Sequence, residues 1–200
     1  GKHTLMIDFL DIRTLSLVLG GTLLVSALSM ACYSFNQKIY GNFRFWTLGM
    51  GSLSIGFLLV SVRDLVPDLF SIVLANVLIY TAVFLIYKGF TCLVVGRPVR
   101  TGTHLIFIAL LSLVAVPFFT YQVPSVNARI VIFSFYALIY LGSMFHVFAF
   151  QVQVVRFRDN ILLGVSLILL FVLFSARGIF HLVSGDSIGS FMDSAPFHEV

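Results

Sequence analysis

The sequence predicts an all-α integral membrane protein, a bundle of six transmembrane helices with its N-terminus outside. Three observations lead to this prediction. Apolar residues make up 60% of the chain and charged residues 10%, whereas soluble domains average about 45–50% and 25%. The apolar residues fall into six runs, each close to the ~20 residues that cross a bilayer core. Basic residues concentrate on one side of those runs, which predicts their orientation.

The six runs are separated by short segments that carry proline, glycine or charge, the residues that usually end helices. Pro117 lies inside the fourth run, so we expect a kink there. Gly49, Ser52 and Gly56 form a small-residue stripe on the second run, which permits close helix packing within the protein or in a dimer. The predicted spans are about 14–35, 45–63, 69–94, 103–121, 128–154 and 161–183, with 184–200 as an outer-side tail.

Charge sets the predicted orientation. The side that carries the first, third and fifth connections holds seven of the twelve basic residues and, among the acidic ones, only Asp159. The other side holds the remaining five basic residues together with seven acidic ones. Because basic loops stay in the cytoplasm, the odd-numbered connections are predicted to be cytoplasmic and both the N-terminus and the tail to lie outside.

The tail carries a signal for one more helix. Ser194 and Pro196 stand two residues apart, in the order of a capping serine followed by a proline in the first helical turn. We therefore expect a seventh span beyond Val200, so that the six spans are those of a truncated seven-helix sensor. The alternative is a tail without regular structure.

The predicted spans contain none of the motifs of soluble catalysis. Within them there is no glycine-rich phosphate loop, no HExxH or GxSxG motif, and no carboxylate pair. We therefore expect no catalytic residue, no metal and no cofactor in this chain. The net charge of +4 is modest, so we expect membrane lipids rather than nucleic acid as a partner.

Polar residues inside the predicted spans are the candidate functional groups, because such residues are costly in hydrocarbon and are often functional. Asn76 and Tyr80 share a face of the third span, Tyr136 and Tyr140 share a face of the fifth, and Arg177 and His181 lie one turn apart in the sixth. Arg63 closes the outer end of the second. The predicted ligand-binding residues are Arg177, His181, Asn76, Tyr80, Tyr136, Tyr140 and Arg63.

These residues predict a polar pocket open to the outside, suited to a ligand with an anionic or carbonyl head and an apolar body. The alternative is that each group serves its own helix contacts. Interhelical asparagine and tyrosine bonds are common in membrane bundles, and arginines near span ends, such as Arg63, extend to the headgroups.

Several stretches of the chain resemble a known membrane module. They are residues 11–18 (DIRTLSLV), 43–49 (FRFWTLG), 62–68 (VRDLVPD), 71–76 (SIVLAN), 87–90 (YKGF) and 96–98 (GRP). Together they resemble the multi-helix membrane region at the N-terminus of many bacterial diguanylate cyclases, over about half of the chain. The remainder is similar in hydropathy alone.

The resemblance implies a sensor in the bacterial inner membrane that regulates a cytoplasmic GGDEF domain making cyclic di-GMP. It also implies that the full-length protein is a homodimer and a cyclase, whereas this region by itself is not an enzyme. Similar modules precede histidine kinases, so the output domain stays open. The leading hypothesis is a sensory domain that detects a small or lipid-like ligand from the outer side.

Two alternatives come from other functional classes. A small transporter or channel requires a polar path through both leaflets, whereas the polar residues here become sparse toward the cytoplasmic half. An intramembrane enzyme acting on lipids requires a nucleophile, metal ligands or paired acids at membrane depth, and the sequence presents no such group.

Overall fold

The computed structural model describes residues 12–36, 43–63, 65–95, 102–122, 125–150 and 161–184. Its helices are α1 (Ile12–Asn36), α2 (Phe43–Ser61), α3 (Ala75–Val95), α4 (Thr103–Pro117), α5 (Val126–Phe150) and α6 (Ile161–Ser184). Two π-helical segments, Leu69–Leu74 and Phe118–Gln122, extend α3 and α4. Within the described ranges, six helical stretches are long and apolar enough to cross a membrane. The predicted all-α, multi-pass membrane architecture is therefore confirmed.

Some of the predicted features fall on other parts of the chain. Residues 151–154 of the fifth predicted span, the connections around Arg97 and Asp159, and the tail from residue 185 onward lie outside the described residues. The helix-start pattern at Ser194 and the expectation of a seventh span lie there too.

The chain divides into two compact units. Unit 1 contains α1, α2, the first π-helical segment and α3 as far as Leu93. Unit 2 contains α4, the second π-helical segment, α5 and α6.

In unit 1 the small residues of α2 allow close contact with both neighbouring helices. A Cβ atom added at Gly49 would lie 3.3 Å from the carbonyl oxygen of Ala82, and one at Gly56 would lie 3.1 Å from that of Ala75, both on α3. Toward α1, the Ser54 hydroxyl donates a 2.8 Å hydrogen bond to the carbonyl of Gly20. Of the two uses predicted for the small-residue stripe, Gly49 and Gly56 thus serve packing within the chain.

About one turn beyond the Gly49 contact, two of the motifs behind the resemblance contact each other. Trp46 lies against Gly89, so closely that a Cβ atom at Gly89 would meet its indole nitrogen at 2.7 Å. The Lys88 ammonium lies 5.4 Å from the ring centroid of Phe45, within the range of a cation–π interaction. Residues 43–49 and 87–90 therefore belong to one structural cluster.

Both π-helical segments follow a proline. Pro67 precedes Leu69–Leu74, and Pro117 immediately precedes Phe118–Gln122. Inside α4, Pro117 lacks the N–H group that would continue the regular backbone bonds, and a wider turn is one way to accommodate the interruption. Pro67 instead lies at the start of its stretch, where its carbonyl accepts bonds from Phe70 and Ser71. A kink was expected at Pro117, and the structure shows a change of helix type there. In this segment the Thr120 hydroxyl donates a 2.7 Å hydrogen bond to the backbone carbonyl of Val116.

Unit 2 is built around the antiparallel contact of α5 with α6. Gly178 approaches Ser134, Phe174 makes an edge-to-face contact with Phe133 at 5.8 Å, and Gly164 approaches Phe148. Higher numbers on α6 therefore meet lower numbers on α5. The α6 residues that face α5 recur every three or four positions, the spacing of a coiled-coil seam. We call this contact the α5–α6 seam.

Candidate functional site

Three of the predicted site residues lie in unit 1. Arg63 follows the end of α2 and is half-buried, and its backbone N–H bonds to the Val60 carbonyl at 3.2 Å. The Asn76 amide donates to the Ile72 carbonyl at 2.7 Å, a bond inside its own helical stretch. Tyr80, one turn further along α3, is buried. For Asn76 the structure therefore shows a local backbone role.

In unit 2, Tyr136 and Tyr140 form a buried aromatic pair on α5. Their ring centroids lie 4.7 Å apart, and both side chains are almost fully enclosed. The Tyr140 hydroxyl donates a 2.8 Å hydrogen bond to the backbone carbonyl of Leu105 on α4. The hydroxyl hydrogen of Tyr140 thus joins α5 to α4. This is the role expected if the tyrosines serve helix contacts rather than a ligand.

His181 has a partner across the α5–α6 seam. Its Nδ1 lies 3.0 Å from Oδ1 of Asn127, a buried residue near the start of α5. With the amide oxygen as acceptor, the hydrogen of the neutral imidazole is on Nδ1 and the lone pair on Nε2. A protonated ring instead presents an N–H donor at Nε2. Nε2 is therefore the imidazole nitrogen that the contact with Asn127 does not use.

Asn127 was not among the predicted site residues, because the fifth span was predicted to begin at residue 128 and Asn127 fell in the connection before it. The antiparallel register of α5 and α6 is the information that would have identified Asn127. A residue near the start of α5 pairs with one near the end of α6, and Asn127 is the asparagine in that position.

Arg177 and His181 occupy different positions relative to the seam. At about 100° per residue, His181 lies about 20° from Phe174 around α6, whereas Arg177 lies about 60° away on the same side. His181 is accordingly half-buried and Arg177 exposed. The two side chains remain one turn apart, so a single ligand group on this flank of the seam can reach both.

The N-terminal part of α5 adds further polar groups. Ser125 caps this helix, its Oγ accepting a 3.2 Å bond from the backbone N–H of Ala128. Arg129 Nη1 lies 3.5 Å from Thr120 Oγ1 in the second π-helical segment. We call the set Thr120, Asn127, Arg129, Arg177 and His181 the polar end of unit 2.

The charge of the polar end is positive. Among the residues that the structure describes in unit 2, Arg129 and Arg177 are the arginines, and aspartate and glutamate are absent. Arginine side chains form strong hydrogen bonds with carboxylate and phosphate groups. The polar end can therefore bind an anionic group.

Of the seven predicted site residues, Tyr136, Tyr140, Arg177 and His181 belong to unit 2, and Arg63, Asn76 and Tyr80 to unit 1. No family model, curated protein or solved structure matches this chain. The chemistry of the polar end is therefore the basis for a function of this chain.

Proposed function

We propose that this chain is the sensory domain of a membrane receptor that binds a small amphipathic anion from the outer side. The observation that supports this proposal most directly is the His181–Asn127 pair with Arg177 one turn away, in a unit whose described residues contain no carboxylate. The Arg177 side chain is exposed on the flank of the α5–α6 seam, where it can meet a ligand.

The ligand chemistry follows from the donors present. The Arg177 guanidinium offers paired N–H groups that match a carboxylate or phosphate. His181 contributes Nε2, which donates to an anion when the ring is protonated and accepts a hydrogen bond from a hydroxyl or an acid when it is neutral. The apolar helices around them suit an apolar ligand body.

Signalling in this proposal uses the α5–α6 seam. A ligand that contacts Arg177 and Nε2 of His181 binds the same imidazole that joins α6 to Asn127 of α5 through Nδ1, and so favours one arrangement of α5 and α6 over another. Small helix displacements of this kind are a common means of transmembrane and interfacial switching. The output that we propose is a cytoplasmic diguanylate cyclase domain in a homodimeric full-length protein of the bacterial inner membrane. This part of the proposal is based on the resemblance of residues 11–18 and 43–98 to the membrane region of such cyclases.

The experiment measures ligand binding by the full-length protein in nanodiscs. Mass spectrometry first identifies the small molecules that co-purify, and decanoate serves as a defined amphipathic anionic probe. Arg177→Ala should weaken binding roughly tenfold to a hundredfold, since a hydrogen bond to a charged group contributes about 1.5–3 kcal/mol.

Arg44→Ala is the matched control, because Arg44 is also an exposed arginine in a spanning helix but lies in unit 1. Equal affinity of the Arg177→Ala and wild-type proteins removes Arg177 from the site. Substrate flux in proteoliposomes, with binding unchanged in Arg177→Ala, favours the transporter alternative instead.

A further inference from the structure

The α5–α6 seam is closely packed at two positions. A Cβ atom added at Gly178 would lie 3.2 Å from the Ser134 Cβ, and one added at Gly164 would lie 3.3 Å from Cε1 of Phe148. These distances are those of helices in tight contact, with hardly room for a methyl group at either glycine.

Between these two positions the packing is open. A Cβ atom at Gly142 would meet a single neighbour, Cε2 of Phe171, at 4.0 Å. A cleft of about 310 Å³ occupies this part of the seam, and its lining residues are all apolar: Leu141, Gly142, Phe145, Leu167, Ile168 and Phe171. Phe145, Ile168 and Phe171 are 41%, 51% and 44% exposed, so the cleft is open on one side of the α5–α6 pair.

The cleft is separate from the polar end. At about 100° per residue, Phe171 lies about 60° and Ile168 about 120° from Phe174 on one side of α6, whereas Arg177 lies about 60° away on the other side. A molecule in the cleft therefore faces away from the arginine, and this site is independent of the proposed function.

We propose that the cleft binds one acyl chain of a membrane phospholipid. Its lining offers no hydrogen-bonding side chain, so ordered water lacks the two to four polar partners that it needs. An empty space would leave the lining atoms without dispersion contacts. The volume lies at the lower limit of ligand sites, about 300 Å³, which suits a single extended chain rather than a folded ligand.

The test uses the full chain in phosphatidylcholine vesicles that contain a phosphatidylcholine with a photoactivatable diazirine in one acyl chain. After irradiation, peptide mass spectrometry locates the adducts. We expect several-fold more adduct on the cleft residues of α5 and α6 than on Leu110, Leu111 and Val114, which form an exposed apolar face of α4. Gly142→Leu, which fills the cleft, should abolish this enrichment.

The control is Gly51→Leu, because an added Cβ at Gly51 has no neighbour within 4 Å, and it should keep the full enrichment. If Gly142→Leu fails to fold, Gly142→Ala replaces it, since its Cβ makes only an ordinary contact, and a partial loss of adduct is expected. Equal labelling of the cleft and of the α4 face overturns the proposal. Enrichment that is undiminished in the Gly142 variants overturns it as well. Dominant protein–protein cross-linking from a photoreactive residue in place of Phe145 also overturns it, because it would indicate a second copy of the chain in the cleft.

Discussion

The imidazole of His181 and the carboxamide of Asn127 lie 3.0 Å apart, although 54 residues separate them in the sequence. The contact joins the last turns of α6 to the first turn of α5. It holds one polar group of each helix in the α5–α6 seam, and it determines which imidazole nitrogen is left for a ligand.

A double-mutant cycle should detect this pair. Asn127→Ala and His181→Ala should each destabilise the protein, and together they should destabilise it by less than the sum. Interhelical hydrogen bonds in membranes average about 0.6 kcal/mol and reach about 1.7, so we expect a coupling energy in that range from unfolding in mixed micelles. Ser166→Ala is the control, because Ser166 bonds only within α6, to Leu162. A coupling energy of zero would contradict the contact.

Enlarging Gly56 should disrupt unit 1. Gly56→Leu places a side chain against Ile79 and the Ala75 carbonyl of α3, and we expect a loss of about 1–3 kcal/mol, as is usual for overpacking. Gly51→Leu lies on the same helix, in open space, and should change the unfolding free energy by less than about 0.5 kcal/mol. Similar losses of unfolding free energy in Gly56→Leu and Gly51→Leu would show that contact with α3 is not the reason for a small residue at position 56.

Removing the Tyr140 hydroxyl should weaken the contact between α4 and α5. Tyr140→Phe removes the donor to the Leu105 carbonyl, and an interhelical hydrogen bond in a membrane contributes about 0.6 kcal/mol and at most about 1.7. Tyr121→Phe, at a half-exposed position of the second π-helical segment, should leave stability unchanged. Thermal unfolding in detergent measures both, and a neutral Tyr140→Phe would show that the bond contributes nothing to stability.

The predicted orientation has a direct test in a variant lacking Cys32 and Cys92. A cysteine in place of Leu65, which is 80% exposed between α2 and α3, should react with a membrane-impermeant maleimide on intact cells. A cysteine in place of Arg44, exposed at the start of α2, should react only after permeabilisation. The opposite pattern would reverse the topology and place the polar end of unit 2 on the cytoplasmic side.

The helices could be predicted from sequence because each one depends on a local property. A stretch of about 20 apolar residues satisfies its own backbone in hydrocarbon whatever its neighbours are, and all six predicted spans overlap a described helix. The glycines of α2 were recognisable for a similar reason, since small residues on one face permit close approach to any helix. Which helix approaches them, α3, is visible only in the structure.

The binding role of the seven predicted residues stays a prediction, and only their helical positions can be compared with the structure. The spacing of Arg177 and His181 correctly placed them one turn apart, but their different exposure depends on which side of α6 meets α5. The Tyr140 hydroxyl donates to the Leu105 carbonyl, and His181 Nδ1 contacts Oδ1 of Asn127. Both partners lie on another helix.

The sequence by itself determined that this protein is a multi-pass membrane bundle, because length and hydropathy are sums over neighbouring residues. The tertiary structure alone decided the partners of the polar groups and the position of the cleft at Gly142. Hydrogen bonds and packing gaps depend on the register and rotation of two helices, and these are fixed by contacts between residues far apart in the chain.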